Sequence, residues 1–348
     1  MRSRLGMAWG RPAAQPAHTV IIRGMADSPG TKVTLSVVVP MHDELPHVAA
    51  FFARTVPVLE ALKTPWEIVC VDDGSRDETF TALLAEHRRD PRVKLLRLSR
   101  NFGKEAALTA GLAHARGDAV VPIDADLQDP PELIPELVAK WREGFDVVNA
   151  ARTSRQGESW FRRVSASAFY KAFEWVAPIR LARDTGDFRL LRRQVVASLG
   201  RLPERSRMMK GLFAWVGFRQ AYVPYERPPR LAGRSQWSVG RLFKLAIDGI
   251  TSFSAWPLRI WSFLGAVIAL LAFVYAAFLI VRTRIFGVVV PGYASMMVVL
   301  LFVAGVQLMG LGVLGEYLGR VFEEVKQRPL YLVMESHGVD DPPAERNR

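Results

Sequence analysis

Two long apolar segments in the C-terminal third, both free of charged residues, constrain the fold more than any other feature of the chain. Ile260–Val281 provides 22 such residues and Ile285–Gly315 provides 31, with a Pro291-Gly292 break near the start of the second. A helix that crosses a membrane needs about 20 consecutive apolar residues. We therefore predict transmembrane helices over residues 260–281 and 292–315. Their short connection predicts an antiparallel hairpin with both outer ends on one side.

Positive charge flanks this hairpin unevenly. The connection between the helices contains only Arg282 and Arg284, whereas eight basic residues flank the outer ends: Arg230, Arg234, Arg241, Lys244, Arg259, Arg320, Lys326 and Arg328. Basic flanks favour the cytoplasmic side of a membrane. This predicts a multi-pass protein of the inner membrane, with its N-terminal domain and the tail of residues 317–348 in the cytoplasm.

Three other segments are assigned from composition. Residues 1–32 are basic without a continuous apolar core, which predicts a flexible extension rather than a signal peptide, and Met25 is an alternative start. Residues 239–257 are amphipathic and predict an interface helix that leads into the first span. The basic, aromatic stretch Arg152–Arg180 is typical either of another interface helix or of a solvated one.

The net charge of +12 requires an anionic partner or surface. Nucleic acid, an anionic membrane and phosphate-bearing substrates all satisfy this requirement, and the apolar segments favour the last two over nucleic acid. The single cysteine, Cys70, lies in an apolar run and predicts a buried strand residue. One cysteine forms no intramolecular disulfide, and no Cys/His cluster indicates zinc.

From residue 33 onward, short apolar runs alternate with helical patterns. The predicted strands are Leu35–Pro40, Trp66–Asp72, Val93–Leu98, Ala119–Ile123 and Asp146–Ala151. The helical patterns between them lie near Leu45–Leu62, Asp77–Arg88, Lys104–Arg116 and Pro131–Trp141. This alternation predicts a parallel, doubly wound α/β sheet in a catalytic domain of residues 33–238. Ligands bind such sheets beyond the carboxyl ends of the strands.

The strongest chemical signal, Asp124-Ala125-Asp126-Leu127-Gln128-Asp129, follows one of these strands. Two carboxylates and an amide oxygen suit a hard divalent cation, Mg²⁺ or Mn²⁺, that also binds substrate phosphates. We predict Asp124, Asp126 and Gln128 as metal ligands. The alternative is an acidic turn, in which Asp129 caps the helix that begins at Pro130-Pro131.

A second polar cluster, Asp72-Asp73-Gly74-Ser75, follows another strand. Its carboxylates can accept hydrogen bonds from a nucleotide base or ribose. The same residues also form ordinary turns, so this motif alone leaves both interpretations open.

Together these motifs resemble glycosyltransferase family 2, in particular its polyprenyl-phosphate branch. The matching segments occur in the family's order: Pro40–Glu44, Asp72–Ser75, Arg100–Lys104, Gly117-Asp118, Asp124–Pro131, Asp184–Leu190 and Arg230–Trp237, followed by the two-helix hairpin. The resemblance implies a GT-A nucleotide-sugar-binding (Rossmann-like) domain. It also implies a nucleotide-sugar donor, with UDP-glucose favoured over GDP-mannose and other UDP-sugars, and a polyprenyl-phosphate acceptor such as undecaprenyl phosphate.

The resemblance also implies roles for individual residues. Donor and substrate binding is assigned to Pro40, His42, Glu44, Asp72, Asp73, Lys104, Asp124, Arg234 and Ser235. Catalysis is assigned to Asp126, Asp187, Arg189 and Arg230. The sequence departs from the family pattern at His42 and Asp43. It departs again at Arg234, where the family has an acidic residue, and at Gln236, where the family has a basic one.

A sugar transfer with inversion to a hydroxyl requires a general base, but a phosphate acceptor is already nucleophilic at neutral pH because its second pKa is about 6. We therefore expect the lipid phosphate to attack directly and Asp187 to orient the sugar. A processive synthase would need more membrane helices, and a dehydrogenase would need Gly-x-Gly-x-x-Gly after the first strand. A non-catalytic membrane scaffold is an alternative. The small residues Gly305, Gly310, Gly312 and Gly315 of the second helix are typical either of a homo-oligomer or of close packing against the first helix.

Overall fold

The computed structural model describes residues 33–153, 185–226 except 203 and 206, 256–286 and 292–339. The predicted interface helix of residues 239–257 lies almost entirely outside this part of the chain. So do most of the stretch from Arg152 to Arg180 and the N-terminal extension.

The described elements alternate as the sequence predicts over the first five strands. The strands are β1 Leu35–Met41, β2 Trp66–Asp72, β3 Val93–Leu98, β4 Ala119–Pro122, β5 Val147–Arg152, β6 Thr185–Arg192, β7 Gln220–Tyr225 and β8 Val333–His337. The helices are α1 Leu45–Ala61, α2 Thr79–Arg89, α3 Lys104–His114, α4 Ile134–Arg142, α5 Arg193–Gly200, α6 Met209–Trp215, α7 Trp256–Phe286 and α8 Tyr293–Lys326, with a 3₁₀ turn at Pro131–Leu133 before α4.

All eight strands form one sheet in the order β7-β5-β6-β4-β1-β2-β3-β8. The sheet is mixed rather than parallel throughout, which corrects the sequence prediction. Strands β1 to β4 pair in parallel, but β6 runs antiparallel to both β4 and β5, and β8 runs antiparallel to β3. The predicted α/β domain of the GT-A type is confirmed.

The central strands are buried on both faces because helices cover the sheet on each side. In β1, Val37 and Val39 pack on one side with Phe51 of α1, whereas Val38 packs on the other with Leu108 of α3. Successive strand residues point to opposite faces, so both faces need apolar side chains. This explains the continuous apolar runs, and the predicted burial of Cys70 is confirmed.

Helices α7 and α8 are each long and apolar enough to cross a membrane, and no residue in the most apolar window of either is buried. Their 31 and 34 residues correspond to roughly 46 and 51 Å of helix. Both therefore exceed the hydrocarbon thickness of about 30 Å. Trp261 of α7 lies next to Gly310 of α8, as expected for a hairpin. The helices extend beyond the predicted spans, and the charged end of α8 extends past the apolar part.

After α8 the chain returns to the catalytic sheet. Glu324, in the last turn of α8, accepts a hydrogen bond from the backbone N–H of Arg205 at 2.7 Å. Val333–His337 then pairs antiparallel with β3 as the edge strand β8. Part of the segment predicted to be a cytoplasmic tail is thus a strand of the catalytic domain. The C-terminal end of α8 lies beside that domain.

Candidate active site

The predicted site residues meet because the strands that precede them end at the same edge of the sheet. Met41 at the end of β1 pairs with Asp72 at the end of β2. The antiparallel pairing of β4 with β6 aligns Val120 with Leu191. Extending this register by four residues places Asp124 opposite Asp187, although 62 residues separate them in sequence.

Lys104, the first residue of α3, joins these two carboxylates. Its Nζ lies 2.7 Å from Oδ1 and 2.8 Å from Oδ2 of Asp124, and 2.8 Å from Oδ2 of Asp187. Burial opposes the charged form of Lys104, but the two carboxylates outweigh it and raise the pKa of the ammonium. Lys104 therefore stays protonated and holds the ends of β4 and β6 together.

Asp187 is ionised in this arrangement. Burial favours its neutral form, but the charge and hydrogen bond of Lys104 outweigh burial and lower the pKa of Asp187. A carboxylate with a lowered pKa is a weak proton acceptor at neutral pH. This favours the predicted sugar-orienting role of Asp187 over a role as general base.

The acidic loop after β4 has oxygen atoms suited to a hard cation. Leu127 adopts a left-handed φ of 55°, and the turn directs the N–H of Gln128 to Oδ1 of Asp126 at 3.1 Å. Gln128 is only 4% exposed, and its Oε1 has no hydrogen-bond partner among the described residues. A buried carbonyl oxygen without a donor is costly unless a ligand satisfies it, and a divalent cation does so.

Within the described residues, no group of three or more His, Cys, Asp or Glu side chains is arranged to hold a metal ion. A cation at this loop would therefore depend on Asp124, Asp126, the Gln128 amide and the phosphates of a substrate. Such a shared shell is usual for Mg²⁺, which is bound by few protein carboxylates together with substrate phosphates. The residues present fit that kind of site.

Asp73 shapes the loop that precedes α3. Its two carboxylate oxygens accept the backbone N–H groups of Phe102 at 2.7 Å and Gly103 at 2.8 Å. Asp72 accepts the N–H of Ser75 at 3.1 Å, and its Oδ2 is buried without a hydrogen-bond partner in the described chain. Burial raises the pKa of Asp72, although the hydrogen bonds from Ser75 act to lower it. Asp73 therefore stabilises the loop. Oδ2 of Asp72 is buried and faces Nε of Arg97 at 3.4 Å, so contact between Asp72 and a nucleotide stays a prediction.

The residues predicted after β1 lie beside this loop. The ring of His42 contacts the carbonyl oxygen of Asp73 through Nδ1 at 2.9 Å. The carboxylate of Glu44 contacts Nδ1 of His47 at 2.5 Å, and Pro40 aligns with Val71 of β2. Their direct contact with a nucleotide stays a prediction.

Arg189 is buried next to the part of β6 that contains Asp187. It is only 3% exposed, its guanidinium stacks 4.0 Å over the ring of Phe213, and Nη2 donates to the carbonyl oxygen of Gly186 at 2.6 Å. Burial lowers the pKa of Arg189 to about 10. These contacts support the strand that contains Asp187, and a catalytic role of Arg189 stays a prediction.

The expectation that Asp129 caps the following helix is wrong. The 3₁₀ turn at Pro131–Leu133 has no side-chain cap. Instead, Oδ1 of Asp129 accepts the hydroxyl of Tyr225 at 2.5 Å, and Nε of Arg152 donates to the same hydroxyl at 3.2 Å. Burial, reinforced by Asp129, raises the pKa of Tyr225 to about 12. The acidic loop is thereby fixed to the ends of β5 and β7.

Glu105 is a site residue that the sequence analysis missed. It follows Lys104, and its carboxylate accepts the backbone N–H of Met209 in α6. Burial, reinforced by repulsion from Asp187, raises its pKa to about 7. No local pattern marks it, since a glutamate in the first turn of a helix is common on solvated surfaces.

We predict that Glu105→Gln removes part of the pH dependence of stability. The folded-state pKa of Glu105 is above its ordinary value of 4.5, so the folded protein keeps a proton that the unfolded chain releases. Stability from this group is therefore lost as pH rises from about 5 to about 8. Between about pH 5 and about pH 8, the melting temperature measured in EDTA should fall less for Glu105→Gln than for wild type. Glu143→Gln, at an exposed site, is the control, and equal falls in all three proteins would contradict the assignment.

Arg230, Arg234 and Ser235 lie outside the described residues, so their predicted roles stay predictions. The described site is thus formed by the ends of β1, β2 and β4, the beginning of β6, the start of α3 and the acidic loop. A membrane hairpin is attached to the same domain.

This combination defines a membrane-associated enzyme with a GT-A-like domain. A family model described as glycosyl transferase family 2 matches residues 36–200, and one described as the GtrB C-terminal hairpin matches residues 256–321. The chain belongs to glycosyltransferase family 2.

Several relatives match almost their whole length. An uncharacterized glycosyltransferase of Synechocystis sp. is 54% identical over 314 residues, which cover 90% of this chain and 99% of that protein. A bactoprenol glucosyl transferase of Shigella phage SfII is 46% identical over 305 residues, covering 87% and 98%. A prophage bactoprenol glucosyl transferase homolog of Escherichia coli is 46% identical over 300 residues, covering 86% and 98%.

Proposed function

We propose that the protein transfers glucose from UDP-glucose to a polyprenyl phosphate, giving polyprenyl-phosphate glucose and UDP. The observation that supports this most is the 46% identity to bactoprenol glucosyl transferases over 98% of their length. The match covers 87% of this chain, which contains both the family 2 domain and the C-terminal hairpin. GDP-mannose and other UDP-sugars are the alternative donors.

In the proposed reaction, an oxygen of the lipid phosphate attacks the anomeric carbon of the sugar. The bond from this carbon to the diphosphate oxygen breaks as the new bond forms, so the configuration inverts and UDP leaves. The acceptor needs no protein base, because its second pKa is about 6 and it is largely dianionic at neutral pH. Asp187, held ionised by Lys104, accepts hydrogen bonds from sugar hydroxyls instead.

The enzyme's remaining contribution is positioning and charge. Asp124, Asp126 and Gln128 would hold Mg²⁺ or Mn²⁺, which neutralises charge on the diphosphate leaving group when bound. Asp72 would accept a hydrogen bond from the nucleotide, and Lys104 balances the carboxylates that face the anionic substrates. Arg230, Arg234 and Ser235 are proposed to contact phosphates.

We also propose that the protein resides in the inner membrane with its catalytic domain in the cytoplasm. The excess of basic residues at the outer ends of the hairpin supports this orientation. It places the site on the side where nucleotide sugars are made.

The test is a transfer assay with the full chain in detergent. Purified protein is incubated with undecaprenyl phosphate, Mn²⁺ or Mg²⁺, and a panel of UDP- and GDP-sugars, and the lipid product is identified by mass spectrometry. We expect a hexosyl product from UDP-glucose that disappears with EDTA. Product from another donor alone would correct the donor, and no product from any donor with folded protein would favour the scaffold.

A further inference from the structure

Lys210, in the first turn of α6, has no assigned role, and its ammonium is short of a counter-ion. Among the described residues it makes no hydrogen bond, and no carboxylate lies within 4.0 Å of its Nζ. Its side chain is exposed, yet the surrounding protein desolvates it and lowers the pKa of the ammonium despite the attraction of Asp187. Asp187 thus attracts the ammonium of Lys210, but no carboxylate of the described residues forms an ion pair with it.

The helix that presents Lys210 is held in place by two contacts with the site. The N–H of Met209 donates to the carboxylate of Glu105, and the ring of Phe213 packs beneath the guanidinium of Arg189 at 4.0 Å. Met209 and Phe213 are also buried in the core on this side of the sheet. The backbone at Lys210 is thus fixed while its ammonium stays accessible.

Lys210 differs from the other cations that surround Asp187. Lys104 is paired with two carboxylates, Arg152 donates to a tyrosine hydroxyl, and Arg189 donates to a backbone carbonyl oxygen. Each of these three charges serves the fold of the site. Only Lys210 among the four has no such partner in the described chain.

An ammonium that has no ion-pair partner in the described chain, and that Asp187 attracts, suits an incoming anion. The proposed reaction brings phosphate to this place from two sources, the donor diphosphate and the lipid phosphate. Asp124, Asp126 and Gln128 on the neighbouring loop already provide for the diphosphate through a metal ion. Lys210 lies instead on α6, whose Phe213 packs under Arg189 of the strand that also contains Asp187.

We infer that Lys210 binds a phosphate group of the substrates, foremost that of the lipid acceptor. This inference rests on the proposed function, because it is the proposed reaction that brings phosphate groups to this ammonium. A hydrogen bond to a charged group contributes about 1.5–3 kcal/mol, which corresponds to a ten-fold or larger change in affinity.

The test compares Lys210→Gln and Lys210→Arg with wild type in the transfer assay. The KM for polyprenyl phosphate should rise about ten-fold or more in Lys210→Gln, with UDP affinity measured without lipid unchanged. Lys210→Arg should restore most of the lost affinity, because it keeps the charge. Lys140→Gln, which removes an exposed ammonium paired with Glu143 on α4, should behave as wild type.

The remaining outcomes distinguish the donor phosphate from the acceptor phosphate, and the role of Lys210 from the proposed function. A loss of UDP affinity with an unchanged lipid KM would still support phosphate binding but assign it to the donor. Unchanged KM and UDP affinity in a folded Lys210→Gln protein would overturn the inference. If wild type transfers no sugar, the proposed function fails, and calorimetric titration with farnesyl phosphate still tests Lys210. Weaker binding in Lys210→Gln would support it, and equal binding would refute it.

Discussion

Replacing Asp124 by asparagine is expected to lower the rate of sugar transfer by roughly two to three orders of magnitude. Both oxygens of Asp124 contact the ammonium of Lys104, at 2.7 and 2.8 Å. An amide offers one acceptor oxygen and no charge, so Lys104 would pair with Asp187 alone. The proposed cation site would also lose one of its two carboxylates. Initial rates with UDP-glucose, Mn²⁺ and undecaprenyl phosphate measure the effect.

The matched control is Asp90→Asn. Asp90 also pairs with a basic side chain, Arg92 at 2.8 Å, but lies between α2 and β3, away from the site. It should keep wild-type activity, and circular dichroism should show that both variants are folded at the assay temperature. Asp124→Asn with more than about a tenth of wild-type activity would contradict the role given to this carboxylate.

Replacing Gly74 by alanine is expected to reduce the free energy of unfolding by about 3 kcal/mol or more. Gly74 has a φ of +63°, and an added Cβ would lie 2.5 Å from the backbone carbon of Arg100 and 2.7 Å from the nitrogen of Asn101. That backbone leads directly to the N–H groups that Asp73 holds, so it cannot shift without disturbing the site. Unfolding of the detergent-solubilised protein, followed by tryptophan fluorescence, measures the loss.

Gly144→Ala separates the two causes of this destabilisation. Gly144 has a φ of +97°, but no atom lies within 4 Å of an added Cβ. This variant should lose only the conformational part, about 1–2 kcal/mol. The difference between the two variants measures the close approach to Arg100. If Gly74→Ala is no less stable than Gly144→Ala, the loop after β2 does not need this contact.

The elements up to β5 are predictable from sequence because each strand is an uninterrupted apolar run between polar turns. Strand β8 is not, because Val333–His337 is short, mostly polar and separated from β3 by the whole hairpin. Its pairing depends on where α8 returns the chain, which local patterns do not encode. The antiparallel direction of β6 escapes prediction for a related reason, since strand direction depends on the path of the preceding connection.

The same limit applies within the site. Strand-end position identifies Asp124 and Asp126, and the family motif identifies Asp187. The bridge formed by Lys104 depends on the register between β4 and β6, which becomes visible only in the folded sheet. Glu105 and Lys210 meet through α6, a helix absent from the sequence prediction.

The most direct test of the account is the anomeric configuration of the glycolipid formed from UDP-α-glucose. NMR of the purified product, through the coupling between the protons on the first two sugar carbons, distinguishes the α from the β linkage. Direct attack by the lipid phosphate, with no covalent sugar–enzyme intermediate, predicts β-linked glucose. An α-linked product would contradict the in-line attack of the lipid phosphate opposite the departing UDP.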